Sequence, residues 1–172
     1  MVKSFVVAAA LALPQATGAP LPSTYIPAAM VEATAQEAIA NDVTDTAIRT
    51  VDAGGHNVGV GVVQRAAGTN LPGGAVHTQV TEVYHVIRGS GLLVTGGTLV
   101  NPEQRDSGMA VVTGINGPGV SGTAIEGGVR QQISAGDVVI IPAGTPHWFP
   151  EIQEDLVNTV VRVDPGQVVA LK

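Results

Sequence analysis

Two short stretches concentrate the residue types that do metal chemistry. His77 and Glu82 lie within HTQVTEVYHVIRG, residues 77–89, and His147 closes GDVVIIPAGTPH, residues 136–147. Imidazole and carboxylate together suit Fe, Mn, Ni, Zn or Cu, and a site with few protein ligands leaves positions open for a substrate. In a strand, residues two apart share a face, so Gln79 can point the same way as His77. Its amide could then ligate a hard ion or donate to a bound oxygen species. Glu82 has the opposite parity and reaches the same ion only if a corner or bulge intervenes at residues 80–81. Gly136, Pro142 and Gly144 shape a tight approach to His147.

A solitary histidine is more often a hydrogen-bonded structural residue than a ligand, so the flanking pattern matters. Tyr84 and Val86 share the parity of Glu82 and, with Trp148 and Phe149, are candidates to line a substrate pocket. His85 has the other parity and is expected off the site, and His56 follows a Gly-Gly turn and reads as a surface residue. Arg49, Arg65 and Arg162 fall in strands and read first as solvated faces or ion pairs, with substrate-carboxylate binding as the minority role.

The elements that must position these residues are mostly short strands. Val-rich runs at 46–52, 57–65, 75–80, 82–88, 91–95, 98–101, 109–113, 121–126, 128–133, 137–141 and 156–163 are cut by Gly and Pro. That spacing predicts a sandwich or barrel. Ahead of them, Pro27 can open a helix and Asn41 can close it. Ala28, Val31, Ala35, Ala38 and Ile39 then form an apolar stripe over about residues 28–40. The stretch 102–119 is the least regular and reads as an insertion between two halves of one barrel.

The two stretches resemble the two cupin motifs, G-x5-H-x-H-x3,4-E-x6-G and G-x5-P-x-G-x2-H-x3-N. Gly136, Pro142, Gly144 and His147 match the second at every spacing, and Glu82 and Gly89 match the end of the first. The terminal Asn is Glu151 here, and the leading Gly of the first motif is displaced. If His77 is the first family histidine, Gln79 stands in for the second. If His77 is the second, Ala75 stands in for the first and the spacing to Glu82 is normal. HTQ keeps the H-x-polar pattern, so the first alignment is preferred and Gln79 is expected to face the metal. The resemblance covers about residues 46–165. It implies an all-β chain built as a single cupin barrel (a double-stranded β-helix or jelly roll) with one short N-terminal helix.

Composition narrows the rest. The chain of 172 residues fits one domain. Residues 1–19 have a lysine, an apolar run and a small-residue end, the order of a secretory signal, so the mature protein is expected to be secreted to an extracellular or periplasmic space. Residues 20–45 form an extension carrying the helix, and 46–172 the barrel. There is no cysteine, which excludes disulfides, thiolate ligands and a cysteine nucleophile. The net charge of -6, with lysine present only as Lys3 and Lys172, supplies no basic face for nucleic acid. No segment beyond the signal is long and apolar enough to span a membrane.

The expected function is metal-dependent chemistry on a small, largely nonpolar organic molecule, of dioxygenase, isomerase or lyase type. One divalent transition metal ion would act as Lewis acid, with Glu82 or Gln79 assisting proton movement. The nonpolar character rests on a lining expected from Val86, Leu93, Val139 and Ile141. The alternative is a non-catalytic binding or storage-like cupin with a structural metal or none. Pairing as a homodimer through the final strand is also expected.

Overall fold

The computed structural model describes residues 20–69 and 73–172. The expected signal segment, residues 1–19, lies outside the described residues. Helix α1 spans Ala28–Ala40, with Pro27 as its N-cap and Asn41 as its C-cap. Its stripe is narrower than expected, since Ala35 and Ala38 are buried while Ile39 is exposed. The helix packs on the outer face of two strands, β1 (Asp45–Asp52) and β2 (Asn57–Arg65). There Ala35 meets Ile48, Val62 and Val157, with Ile26 and Val31 at the margin.

Eleven strands follow the helix among the described residues, all paired antiparallel. After β1 and β2 come β3 (Gly74–His77), β4 (Thr81–Thr95), β5 (Thr98–Val100), β6 (Glu103–Gln104), β7 (Gly119–Gly122) and β8 (Ala124–Glu126). β9 (Val129–Ser134), β10 (Val138–Ile141) and β11 (His147–Asp164) complete the set. The long β11 is the organiser: it pairs with β2 on one side and β4 on the other, and its first residue also pairs with β3. β1 continues the ladder beyond β2, β9 and β10 add to β4, and β7 and β6 add to β3. β5 and β8 make a separate two-stranded sheet. The expectation of an antiparallel, mostly β chain with one short helix holds. The ladder does not return on itself, however, so the sheet is not closed as a barrel.

The inner face carries the core. Alternation along β11 sends Leu156 and Val160 inward, where they join Val63, Tyr84, Val86, Leu93, Ile133, Ile141, Phe149 and Ile152. The two expected strands at 82–88 and 91–95 are one continuous strand. Gly89 makes this possible: its φ is 81°, and a Cβ there would lie 2.0 Å from the Asp155 carbonyl oxygen. The expected strand at 109–113 is instead helical, ending in a π-helical turn at Val112–Asn116. Asp106 starts it by accepting the Gly108 N–H, and Gly117, at φ 72°, ends it by returning its N–H to the Val112 carbonyl. Local turn chemistry outweighed the β preference of the Val-Val pair.

Candidate metal centre

Three chain segments deliver the site. His77 is the last residue of β3, Glu82 the second residue of β4, and His147 the first of β11. The bend at residues 78–80 between β3 and β4 supplies the corner that the parity of Glu82 required. The two motif segments are tied by backbone: the Gly144 N–H donates to the His77 carbonyl at 2.8 Å, and the Ala143 N–H donates to Thr81 Oγ1 at 3.1 Å. Gly144 takes φ 80°, which a side chain would resist.

The three side chains converge. One ligand atom from each lies within 4.8 Å of the others, and all three residues are buried. Glu82 Oε2 stands 3.7 Å from His77 Nε2 and 3.6 Å from His147 Nε2. Those separations are too long for hydrogen bonds and close to the about 3–3.5 Å edges of a shell whose ligands sit about 2.1 Å from one ion. His147 Nδ1 faces the Thr145 carbonyl at 3.2 Å. Donation there leaves Nε2 with its lone pair toward Glu82, the tautomer a metal ligand needs. Burial holds the His77 imidazole at a pKa of about 3, against the attraction of Glu82 and with help from His147 and Arg162, and burial likewise lowers His147. Both rings are therefore neutral and able to ligate at neutral pH. The residues present fit a divalent metal ion.

Glu82 is only 1% exposed and yet ionised. Burial alone would raise its pKa. Arg162, the two histidines and the Tyr84 hydroxyl more than offset that, bringing it to about 2. Arg162 sits directly opposite Glu82 in the β11–β4 register. Its Nε–H donates to Glu82 Oε1 at 2.8 Å, while its two terminal nitrogens donate to Asp45 at 3.1 and 2.7 Å. The Tyr84 hydroxyl donates to Glu82 Oε2 at 2.8 Å. Each carboxylate oxygen is thus oriented, and Oε2 faces both imidazoles.

These residues line a cavity of about 280 Å³ that also takes in Arg65, Ala75, Arg105 and Asn116. A neighbouring one of about 220 Å³ shares Arg65, Ala75 and His147 and adds Trp148 and Phe149. Of the pocket candidates, Tyr84 lines the first cavity and Trp148 and Phe149 the second. Val86 does not: it is buried in the core with Leu93 and Ile141. The lining is thus more charged than a largely nonpolar substrate would suggest. His85 is exposed, as its parity implied.

Gln79 is the main correction. It is exposed in the bend after β3, and its amide oxygen lies against Gly166, 3.2 Å from where a Cβ there would stand. Ala75 faces the cavity and pairs directly with His147. The structure therefore fits the alignment in which Ala75 replaces the first family histidine. From its strand position alone Arg162 reads as a solvated-face or ion-pair residue. Its shared parity with Leu156 and Val160 was the available signal that this pair is buried.

No protein-family model matches the chain, and no curated protein sequence does. Among solved structures it is similar to the DMSP lyase DddQ from Ruegeria pomeroyi, at 17% identity over 66% of this chain and 41% of that one, with a TM-score of 0.42. It is also similar to an oxalate oxidase in complex with the substrate analogue glycolate, at 22% identity over 70% and 50% with a TM-score of 0.43. A third likeness is to the cupin domain of Schizosaccharomyces pombe Cnp3, at 12% identity over 70% and 60% with a TM-score of 0.43. The chain spans less than two thirds of each, and likenesses of this degree carry nothing about activity. The motif spacing resembles that of cupins, and the geometry it produces is an antiparallel β protein with a group of two histidines and one glutamate able to hold a metal.

Proposed function

We propose that this protein is a metal-dependent enzyme acting on a small organic molecule at the His77–Glu82–His147 centre. The observation that carries the reading is the convergence of two buried, neutral imidazoles on one buried, ionised carboxylate at the wall of a cavity. A bound divalent transition metal would supply Lewis acidity, and three protein ligands would leave positions for substrate. The chain's own contribution is orientation. Arg162 and Tyr84 fix Glu82, Thr145 fixes His147, and the core around Phe149 keeps one side of the site dry. Dioxygenase, isomerase and lyase chemistry all fit such a centre. We further propose that the chain is secreted after loss of residues 1–19, which sequencing of exported material from about Pro20 would support.

The test is elemental analysis of wild type beside His77→Ala, Glu82→Gln and His147→Ala. The wild type should retain close to one equivalent of a divalent transition metal, and each variant should lose most of it while keeping its far-UV circular dichroism. Metal retained in all three variants would refute the centre. Metal that binds but exchanges no ligand or water would favour the non-catalytic binding module instead.

A further inference from the structure

The cavity holds more positive charge than its own carboxylates can balance. Of the three guanidiniums lining it, Arg162 is matched by Glu82 and Asp45. Arg105 donates to the neutral Asn116 amide oxygen at 3.1 Å and forms no ion pair among the described residues. Arg65 is the outlier. It ends β2 at the junction of the two cavities, its guanidinium carbon 4.0 Å from the centre of the Phe149 ring. Its Nε and Nη1 are buried and meet no acceptor among the described residues. A buried cationic donor without an acceptor is costly, and such groups are normally paired or hydrogen-bonded. A divalent metal at the neighbouring histidines would add further positive charge, in a protein whose net charge is -6.

We infer that the substrate carries a carboxylate, and that Arg65 binds it beside the metal centre while Arg105 adds long-range attraction. This rests on the proposed metal-dependent reading and names its substrate class. One face of the guanidinium is taken by Phe149, which directs a planar carboxylate to the edge of the group, where pairing is best. Phe149 and Trp148 offer an apolar wall for the rest of the molecule.

The sole tryptophan, Trp148, lines the same cavity as Arg65 and reports occupancy by fluorescence. The metal-loaded full chain is titrated with propionate, propionamide, inorganic phosphate and chloride at matched ionic strength. Saturation-transfer NMR on the ligand protons covers binding that Trp148 does not sense. Propionate should bind saturably and more tightly than the other three. Arg65→Gln should weaken it roughly ten-fold or more, the loss expected for a hydrogen bond to a charged group, with metal content unchanged. Arg65→Lys, which keeps the charge, should fall between. No saturable propionate binding, equal binding of propionamide, tighter binding of phosphate, or wild-type affinity in Arg65→Gln would each overturn the inference. Repeating the titration on metal-stripped protein separates the two proposals. Arg65-dependent propionate binding in a chain that never takes up metal leaves this inference standing while the metal reading falls.

Discussion

Arg162 and Arg65 line one cavity and present opposite solutions to burying a cation. Arg162 is fully engaged, with one donor on Glu82 and two on Asp45, and burial is outweighed by these carboxylates so that its pKa is raised. Arg65 has an aromatic face and, among the described residues, no acceptor for two of its nitrogens. The first arrangement is structural, since it orients a metal ligand and neutralises it. The second leaves binding capacity unspent, which is where a ligand gains most. Stability and ligand binding should therefore respond in opposite ways to the two residues.

The largest effect should come from breaking the satisfied one. Arg162→Met leaves the buried Glu82 and the half-buried Asp45 without their partner, and removing one member of a buried pair costs about 3–5 kcal/mol. Arg65→Met removes a cation already unpaired and should cost less, about 1–2 kcal/mol, the scale of its contact with Phe149. Urea denaturation of both variants measures the contrast. Equal losses would mean that Arg65 is as structural as Arg162, and the distinction would collapse.

A smaller effect should follow from Tyr84→Phe. It deletes one donor to Glu82 Oε2 and leaves Arg162 on Oε1. A hydrogen bond to a charged acceptor is worth about 1.5–3 kcal/mol, so the cost should fall below that of Arg162→Met. Loss of an oriented Oε2 should also weaken metal binding, which competition with a chromophoric chelator would read.

Acid should act on the same cluster. In the metal-free fold His77 is held at about 3 against a usual 6.5, and Glu82 at about 2 against 4.5. Between each pair of values the unfolded chain binds a proton that the folded chain refuses, so stability falls as pH falls. The loss should begin near pH 6.5 with His77 and His147 and steepen below 4.5 as Glu82 joins, at up to about 1.4 kcal/mol per pH unit for each group. His77→Gln should flatten the upper part of that slope. A metal-free wild type as stable at pH 4 as at pH 7 would contradict the neutral, buried state of His77.

Where local chemistry dictates the backbone, the chain was legible from its residues. Pro27 and Asn41 bounded the helix, and Gly136, Pro142, Gly144 and His147 led to a turn that ends at the metal centre. Asn57–Arg65 was legible as a strand because Val and Gly alternate from Val58 to Val62. The misses arise where long-range pairing decides. Val86 shares the parity of Glu82 and reads as a pocket residue, but four residues along β4 the sheet face has passed from cavity to core. Closure of the ladder depends on edges that no local pattern encodes, and the bend that turns Gln79 outward is fixed by β3 stopping at His77.

The smallest expected effect is the one that separates the two motif alignments. Gln79 is exposed beside Gly166, so Gln79→Ala should leave metal affinity unchanged. Ala75 pairs with His147 across the β3–β11 ladder, and directly opposed residues hold their Cβ atoms about 4.5–5.5 Å apart. It is also two residues before His77 on the same strand face. A histidine introduced there would stand beside both imidazoles and could supply a fourth ligand. Ala75→His should therefore bind metal more tightly than wild type in the same chelator competition. It should also bind propionate less well, because the added ring takes cavity space and a coordination position now open. The two readouts moving in opposite directions would show that the small side chain at 75 keeps room for substrate. Lost metal in Gln79→Ala, together with no change in Ala75→His, would instead return Gln79 to the coordination shell.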